Sequence, residues 1–171
     1  MTDERGVQNR RLSASDVEAV SALNAAVFGP GRFARTAYRV REGTPAISPF
    51  CRAAFVGDTA IASLRLTPIT IGESGPHLLL GPLAVASRFA GLGYGQALVW
   101  DALSEAKLAG IGVVTLVGDL PYYERFGFAM AKPGSILFPG PVNPARILVC
   151  ELTPGTRADA VGMVASDPYL D

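Results

Sequence analysis

Residues 90–97 read Ala-Gly-Leu-Gly-Tyr-Gly-Gln-Ala, at the point where an apolar strand-like run hands over to a helix-like one. Gly91, Gly93 and Gly95 at alternate positions allow a tight turn whose amides no side chain shields. A helix starting there directs its unpaired N–H groups and the positive end of its dipole into the turn. A turn of that kind is built to hold phosphate.

Ahead of the loop, Cys51–Val56, Ala60–Ile71 and His77–Ala86 are apolar, β-branched runs separated by Gly57-Asp58 and by Gly72-Glu73-Ser74-Gly75-Pro76. Those breaks are hairpin signals, so the spacing predicts three antiparallel strands. Pro82 lies inside the third and cannot donate to a ladder, which marks an edge, a bulge or a gap in pairing. A gap there would let this strand splay from the run Ile111–Val117 and expose a slot of free main-chain groups. An extended, amide-bearing ligand could lie in such a slot as if it were a strand.

The rest of the chain supplies the frame. A short strand is expected near Val7–Leu12. A helix follows over about Asp16–Val27, with Ser15 and Glu18 at capping-box spacing. A second helix is expected over about Phe33–Arg41. After the loop come a helix over about Gly95–Ala109, the buried strand Ile111–Val117, a short helix Pro121–Phe126 and a last strand Arg146–Leu152. One more strand is expected between Ala129 and Leu137, and the tail beyond Pro154 is read as surface. The order β-α-α-β-β-β-α-β-α-β is that of an α/β fold with a mixed sheet in one domain of 171 residues.

Composition narrows the function. Hydrophobic residues make up 49% and charged ones 18%, and fifteen basic residues balance fifteen acidic ones. The balance leaves no global field to draw in nucleic acid or an anionic membrane. No apolar run approaches the roughly 20 residues that span a bilayer, and the start has no signal-peptide pattern. A cytoplasmic location is therefore expected. Cys51 and Cys150 have no CxxC partner and read as reduced core thiols. His77 is the single histidine and no carboxylate cluster joins it, so no metal site is expected.

The loop fails as a Walker loop, because Gln96-Ala97 follows Gly95 where Gly-Lys-Ser/Thr would continue. A Rossmann loop would put Gln96 at its third glycine, after three antiparallel strands rather than at the start of a βαβ unit. A kinase-type loop would be flanked by strands on both sides. Leu83-Ala84-Val85 followed by Gly91-Leu92-Gly93-Tyr94-Gly95 and a helix instead resembles motif A of the GNAT superfamily of N-acetyltransferases. Tyr122-Tyr123-Glu124-Arg125-Phe126-Gly127-Phe128 resembles that family's second signature. Gly29-Pro30-Gly31-Arg32-Phe33, Gly81-Pro82-Leu83-Ala84-Val85 and Phe138-Pro139-Gly140-Pro141 are similar to its bacterial YhbS-like branch. The resemblance covers roughly residues 8–154. Ala90 departs from it, standing where the family usually has Gln or Arg.

The resemblance implies a mostly antiparallel mixed sheet flanked by helices and splayed at the glycine-loop strand. It implies acetyl-CoA as donor, bound by main-chain groups of Leu83, Ala84 and Val85 and by the turn Ala90, Gly91, Leu92, Gly93, Tyr94, Gly95 and Gln96. It implies direct attack of a primary amine on the thioester, with Tyr123 as general acid; Tyr122, the next residue, points elsewhere on a helix and reads as packing. A small-molecule amine, a peptide N-terminus and a lysine side chain all remain open as the acceptor. Asp119, Glu42 and Glu124 are the carboxylates considered as a base, and none is assigned. Arg32, Arg35 and Arg39 fall on one helix face, which suits an acidic acceptor or an acyl carrier protein as donor. Arg88 is the residue nearest to replacing the side chain missing at Ala90. The readings carried forward are an acetyl-CoA-dependent N-acyltransferase, a carrier-dependent acyltransferase and a non-catalytic acyl-CoA sensor.

Overall fold

The three central runs form a meander, as their turn residues dictate. In the structure, a computed structural model that describes residues 2–30 and 36–167, they are β2 (Arg52–Val56), β3 (Thr59–Ile71) and β4 (Ser74–Val85). β1 (Val7–Arg11) pairs with β2 on one side. On the other side of β4 come β5 (Val113–Val117), β8 (Ile147–Glu151) and β6 (Ala129–Met130), giving the order β1-β2-β3-β4-β5-β8-β6. β4 and β5 run parallel and the other pairs in this order are antiparallel. The sheet is thus mixed and mostly antiparallel.

Helices cover both faces. α3 (Tyr94–Leu108) buries Leu98, Val99, Ala102, Leu103 and Ala106 against Leu64, Leu66, Leu78, Leu80, Val114 and Leu116. The opposite face is covered by α1 (Val17–Phe28), through Leu23 on Ala53, Phe55 and Ala84, and by α2 (Thr36–Arg41), through Val40 beside Ile69, Leu79 and Val113. Arg52, 2% exposed, ties β2 to α3 through Asp101 at 2.8 Å.

Two readings are corrected. The cap before α1 uses Ser13 and Asp16, not Ser15 and Glu18. Asp16 accepts from the Ser13 N–H at 2.8 Å and takes both terminal nitrogens of Arg10 at 2.7 and 2.9 Å. That grip holds the Asp16 carboxyl well below the usual carboxylate range, the Arg10 hydrogen bond being its largest cause. The predicted surface tail, 155–171, is corrected over its described residues, 155–167. α5 (Thr156–Asp159) is followed by β9 (Gly162–Ser166), which pairs with β3 at Ile69–Ile71 and with β7 (Ile136–Leu137), and buries Val164. The expected strand between Ala129 and Leu137 is present as two short pieces, β6 and β7. Residues 33–35 of the second predicted helix lie outside the described residues.

β4 and β5 share a ladder only at Leu78↔Val114 and Leu79↔Thr115. His77 fastens this closed end. Its Nδ1 accepts the Val113 N–H at 3.1 Å and its Nε2 lies 2.8 Å from Ser74 Oγ, which fixes a neutral tautomer with the proton on Nε2. The fit leaves no room over Gly112, where a Cβ would lie 2.7 Å from His77 Cε1.

Burial pulls the His77 pKa below its ordinary value, and an imidazolium could no longer accept from Val113. Below about pH 6.5 the unfolded chain therefore binds the proton in preference to the folded one. Stability is full above that value and declines as pH falls from it toward the lowered folded pKa. Urea unfolding of wild type and His77→Gln, compared at about pH 7.5 and 5.5, should show this decline in wild type and a smaller one in the variant.

Candidate active site

Beyond Leu79 and Thr115 the two strands part, and Pro82 is part of the cause. Leu64 pairs with Leu83 but Leu66 pairs with Leu80, so Gly81 and Pro82 together oppose Arg65 in a β-bulge. The extra residue changes which side chains face α3. Leu78 and Leu80 pack there before the bulge, Leu83 and Val85 after it, while Ala84 turns to the α1 face. Ala86 donates its N–H to Ile61 O on β3. Because main-chain direction alternates along a strand, the polar groups of Val85 and Leu83 point to the parted side.

The loop closes that side at one end. Gly91 and Gly93 have φ of 74° and 89°, in the left-handed region where glycine alone is unstrained. The first bond of α3 runs from the Ala97 N–H to Gly93 O at 3.0 Å, so the amides of Tyr94, Gly95 and Gln96 precede its ladder. Ala90, Gly91, Leu92 and Gly93 are exposed, Gly95 is buried, and Gln96 is half-buried. Tyr94 gives the turn only its main chain. Its ring packs edge-on to Phe89 at 6.0 Å and its hydroxyl donates to Asp3, whose carboxyl that bond holds below its ordinary value.

Gly95 is where the parts meet. A Cβ there would lie 3.1 Å from Val85 Cγ2, 3.3 Å from the Tyr122 hydroxyl and 3.8 Å from Leu83 Cδ1. Tyr122 therefore reaches the start of α3, a position that the spacing of a one-turn helix did not suggest. It comes from α4 (Leu120–Tyr123), which opens with Pro121 in its first turn.

Tyr123, the next residue, lines a cavity of about 890 Å³ on the parted side. The cavity runs over Leu80–Leu83 of the bulge, Val117–Asp119 at the end of β5, and Thr36–Arg39 and Arg41 of α2. Tyr123 packs edge-on to Phe128 at 5.7 Å and to Tyr122 at 4.9 Å. Burial, its largest cause, pushes the Tyr123 phenol up to about 12, with Tyr122 and Asp119 adding to the rise. Tyr122 is raised as well, again by burial, against the pull of Arg125.

Of the three carboxylates considered as a base, Asp119 reaches the cavity. Its side chain is 77% exposed and lies 3.3 Å from Arg146. Glu42 and Glu124 are exposed and do not line it. Arg39 is on the cavity wall, whereas Arg32 and Arg35 lie outside the described residues. Arg88 stacks on Phe89 at 4.9 Å. Cys51 and Cys150 are buried free thiols. Among the described residues no group of three or more His, Cys, Asp or Glu is placed to hold a metal, and no helix is long and apolar enough to cross a membrane.

Residues 18–128 match the acetyltransferase (GNAT) family. An uncharacterised N-acetyltransferase of Escherichia coli K12, YhbS, is 32% identical over 72 residues, 42% of this chain and 43% of that protein. The chain thus matches less than half the length of that relative. The crystal structure of YhbS from Escherichia coli in complex with CoA is similar with a TM-score of 0.79 at 22% identity, over 98% of this chain and 93% of that one. A GNAT family acetyltransferase from Brucella melitensis in complex with acetyl-CoA gives 0.71 at 22% identity, over 96% and 98%. At such identities the likeness is one of fold.

The ring of Tyr123 is seated by an absent side chain. A Cβ at Gly118 would lie 2.8 Å from both Tyr123 Cε2 and Leu116 Cδ1. Gly118→Ala must move one of them, and overpacking of this kind costs about 1–3 kcal/mol. Urea unfolding should show that loss, with a change in the near-ultraviolet tyrosine signal; unchanged values would mean the ring is loosely held.

Proposed function

The chain belongs to the acetyltransferase (GNAT) family, and on that premise we propose that it transfers an acetyl or other short acyl group from acetyl-CoA to a primary amine by direct attack. The observation that carries this is the parted pair β4 and β5, with main-chain groups of Leu83 and Val85 along one wall and the amides of Tyr94–Gln96 at its end. An extended pantetheine arm matches the first and a pyrophosphate the second. The lack of a side chain at Gly95 lets the start of α3 pack close against Val85 and Tyr122.

In the reaction the amine nitrogen attacks the thioester carbonyl, the N–C bond forms and the C–S bond breaks. The nitrogen sheds one proton to water in the cavity and the leaving sulfur gains one, so amide and free thiol are the products. Main-chain donors beside the bulge stabilise the developing oxyanion, worth roughly 3–4 kcal/mol for one well-placed donor. Tyr123 donates its phenolic hydrogen toward the sulfur. A phenol titrating near 12 is a weaker acid than a thiol at about 8.5, so it stabilises the departing sulfur by hydrogen bonding and completes transfer only as charge accumulates there. Asp119, exposed and paired with Arg146, receives no role as base. Ala90 leaves pyrophosphate binding to the main chain.

Release of free thiol from acetyl-CoA, followed with a panel of primary amines and no other protein, tests the reading. Amine-dependent release is expected. A requirement for an acyl carrier protein, or CoA binding without release, would replace it with the carrier-dependent or the sensor reading. Tyr123→Phe should lower kcat by about 10²–10⁴-fold, with KM for acetyl-CoA little changed. In wild type, kcat should not fall through loss of the Tyr123 proton up to about pH 10. Unchanged turnover in the variant at every pH would assign Tyr123 to packing.

A further inference from the structure

We propose that the amine acceptor also carries an anionic group, a carboxylate or a phosphate, which the cavity holds through Arg65 and its neighbouring arginines. The word acceptor rests on the transferase reading above, whereas the anion preference stands on the cavity itself. Arg39, Arg41, Arg65 and Arg146 line it, against Asp119 as the one carboxylate among the described lining residues. Asp119 is already matched by Arg146.

Arg65 is the decisive residue. It lies on β3 in register with the bulge, opposite Gly81 and Pro82, and Arg41 Nη2 lies 3.0 Å from where a Gly81 Cβ would be. A guanidinium has five N–H donors. Arg65 Nη2 spends its two on Thr44 Oγ1 at 2.9 Å and Pro45 O at 3.0 Å. Thr44 in turn donates to Arg41 O at 2.6 Å, which fixes the head of Arg65 against α2. Nε and Nη1 have no acceptor among the described residues, and no described carboxylate pairs with Arg65 or Arg39. Burial lowers the Arg65 pKa from its ordinary value, the mark of a cation that lacks a full counter-charge.

A half-buried guanidinium anchored through one nitrogen, with three donors left over, is suited to a planar or tetrahedral anion. Its register beside the bulge sets that anion next to the main chain where the acyl group would lie. Amine and acid therefore belong to one small molecule.

Equilibrium binding to the CoA-saturated protein tests this without requiring turnover. The probes are matched pairs: free amino acids against their carboxamides, and phosphoethanolamine against ethanolamine. The anionic member of at least one pair should bind about tenfold tighter or more, and the pair that discriminates tells carboxylate from phosphate. Arg65→Gln should abolish the preference, Arg65→Lys should keep part of it, and both should leave CoA affinity unchanged. Arg39→Gln, at the exposed rim, should weaken it and covers the case in which Arg65→Gln does not fold. Equal binding within both pairs, or a preference that survives Arg65→Gln and Arg39→Gln, overturns the proposal. A preference for the anion without acyl transfer from acetyl-CoA would instead sink the transferase reading and leave this one standing.

Discussion

The structure turns on a ladder that is begun and not finished. β4 and β5 pair at Leu78 and Leu79 and then diverge, although a buried main-chain group left unpaired costs about 1–3 kcal/mol. Several contacts hold the divergence open. The bulge at Gly81 and Pro82 bends β4 away and removes a donor. On the far side, β5 keeps its ladder with β8 to the end, and Gly118 extends it by donating to Arg146 O at 2.9 Å. The Tyr122 hydroxyl and the start of α3 stand at the open end. His77 pins the closed end through Val113. The gap is set at both extremities, so its width is a property of the packed core and not of a loop.

The same bulge links that core to the site. Side chains on a strand alternate with period two, and one inserted residue reverses the pattern. Leu80 and Leu83 thereby both face α3 despite their odd separation, and the hydrophobic sheet surface continues past the bulge unbroken. What the reversal gives the site is a change of main-chain direction at Leu83 and Val85. Packing on one face and main-chain exposure at the edge are consequences of one inserted position. A substitution that removed the bulge would have to break one to keep the other.

How far the sequence discloses this follows from where each constraint is encoded. The glycine turn and Pro82 were legible because glycine and proline limit the backbone locally, whatever surrounds them. The meander was legible because its strands are joined by short turns. β9 was not: Gly162–Ser166 buries Val164 and little else, and its partner β3 lies some ninety residues earlier. The capping residues illustrate a tie. Ser13 with Asp16 and Ser15 with Glu18 have the same spacing, and Arg10 on β1 decides between them. Tyr122 escaped because helical spacing describes only its own element, whereas its contact with Gly95 of α3 is made by the tertiary fold. Arg65 gave no signal at all, since a charged residue within a strand ordinarily faces water.

Charge is distributed with the same locality. The chain is neutral overall, yet among the described residues Asp16, Asp101 and Glu105 are paired with Arg10, Arg11 and Arg52, which do not line the cavity. The cavity wall carries four arginines, and Asp119 is the one carboxylate among its described lining residues. Low-dielectric walls concentrate such a field at the mouth of a cleft and screen it from the rest of the surface. A neutral protein can in this way attract an anion to one place while repelling none elsewhere. The arginines would then do two jobs for an acidic amine: they raise its local concentration, and they fix one end of it while the other end meets the thioester beside the bulge.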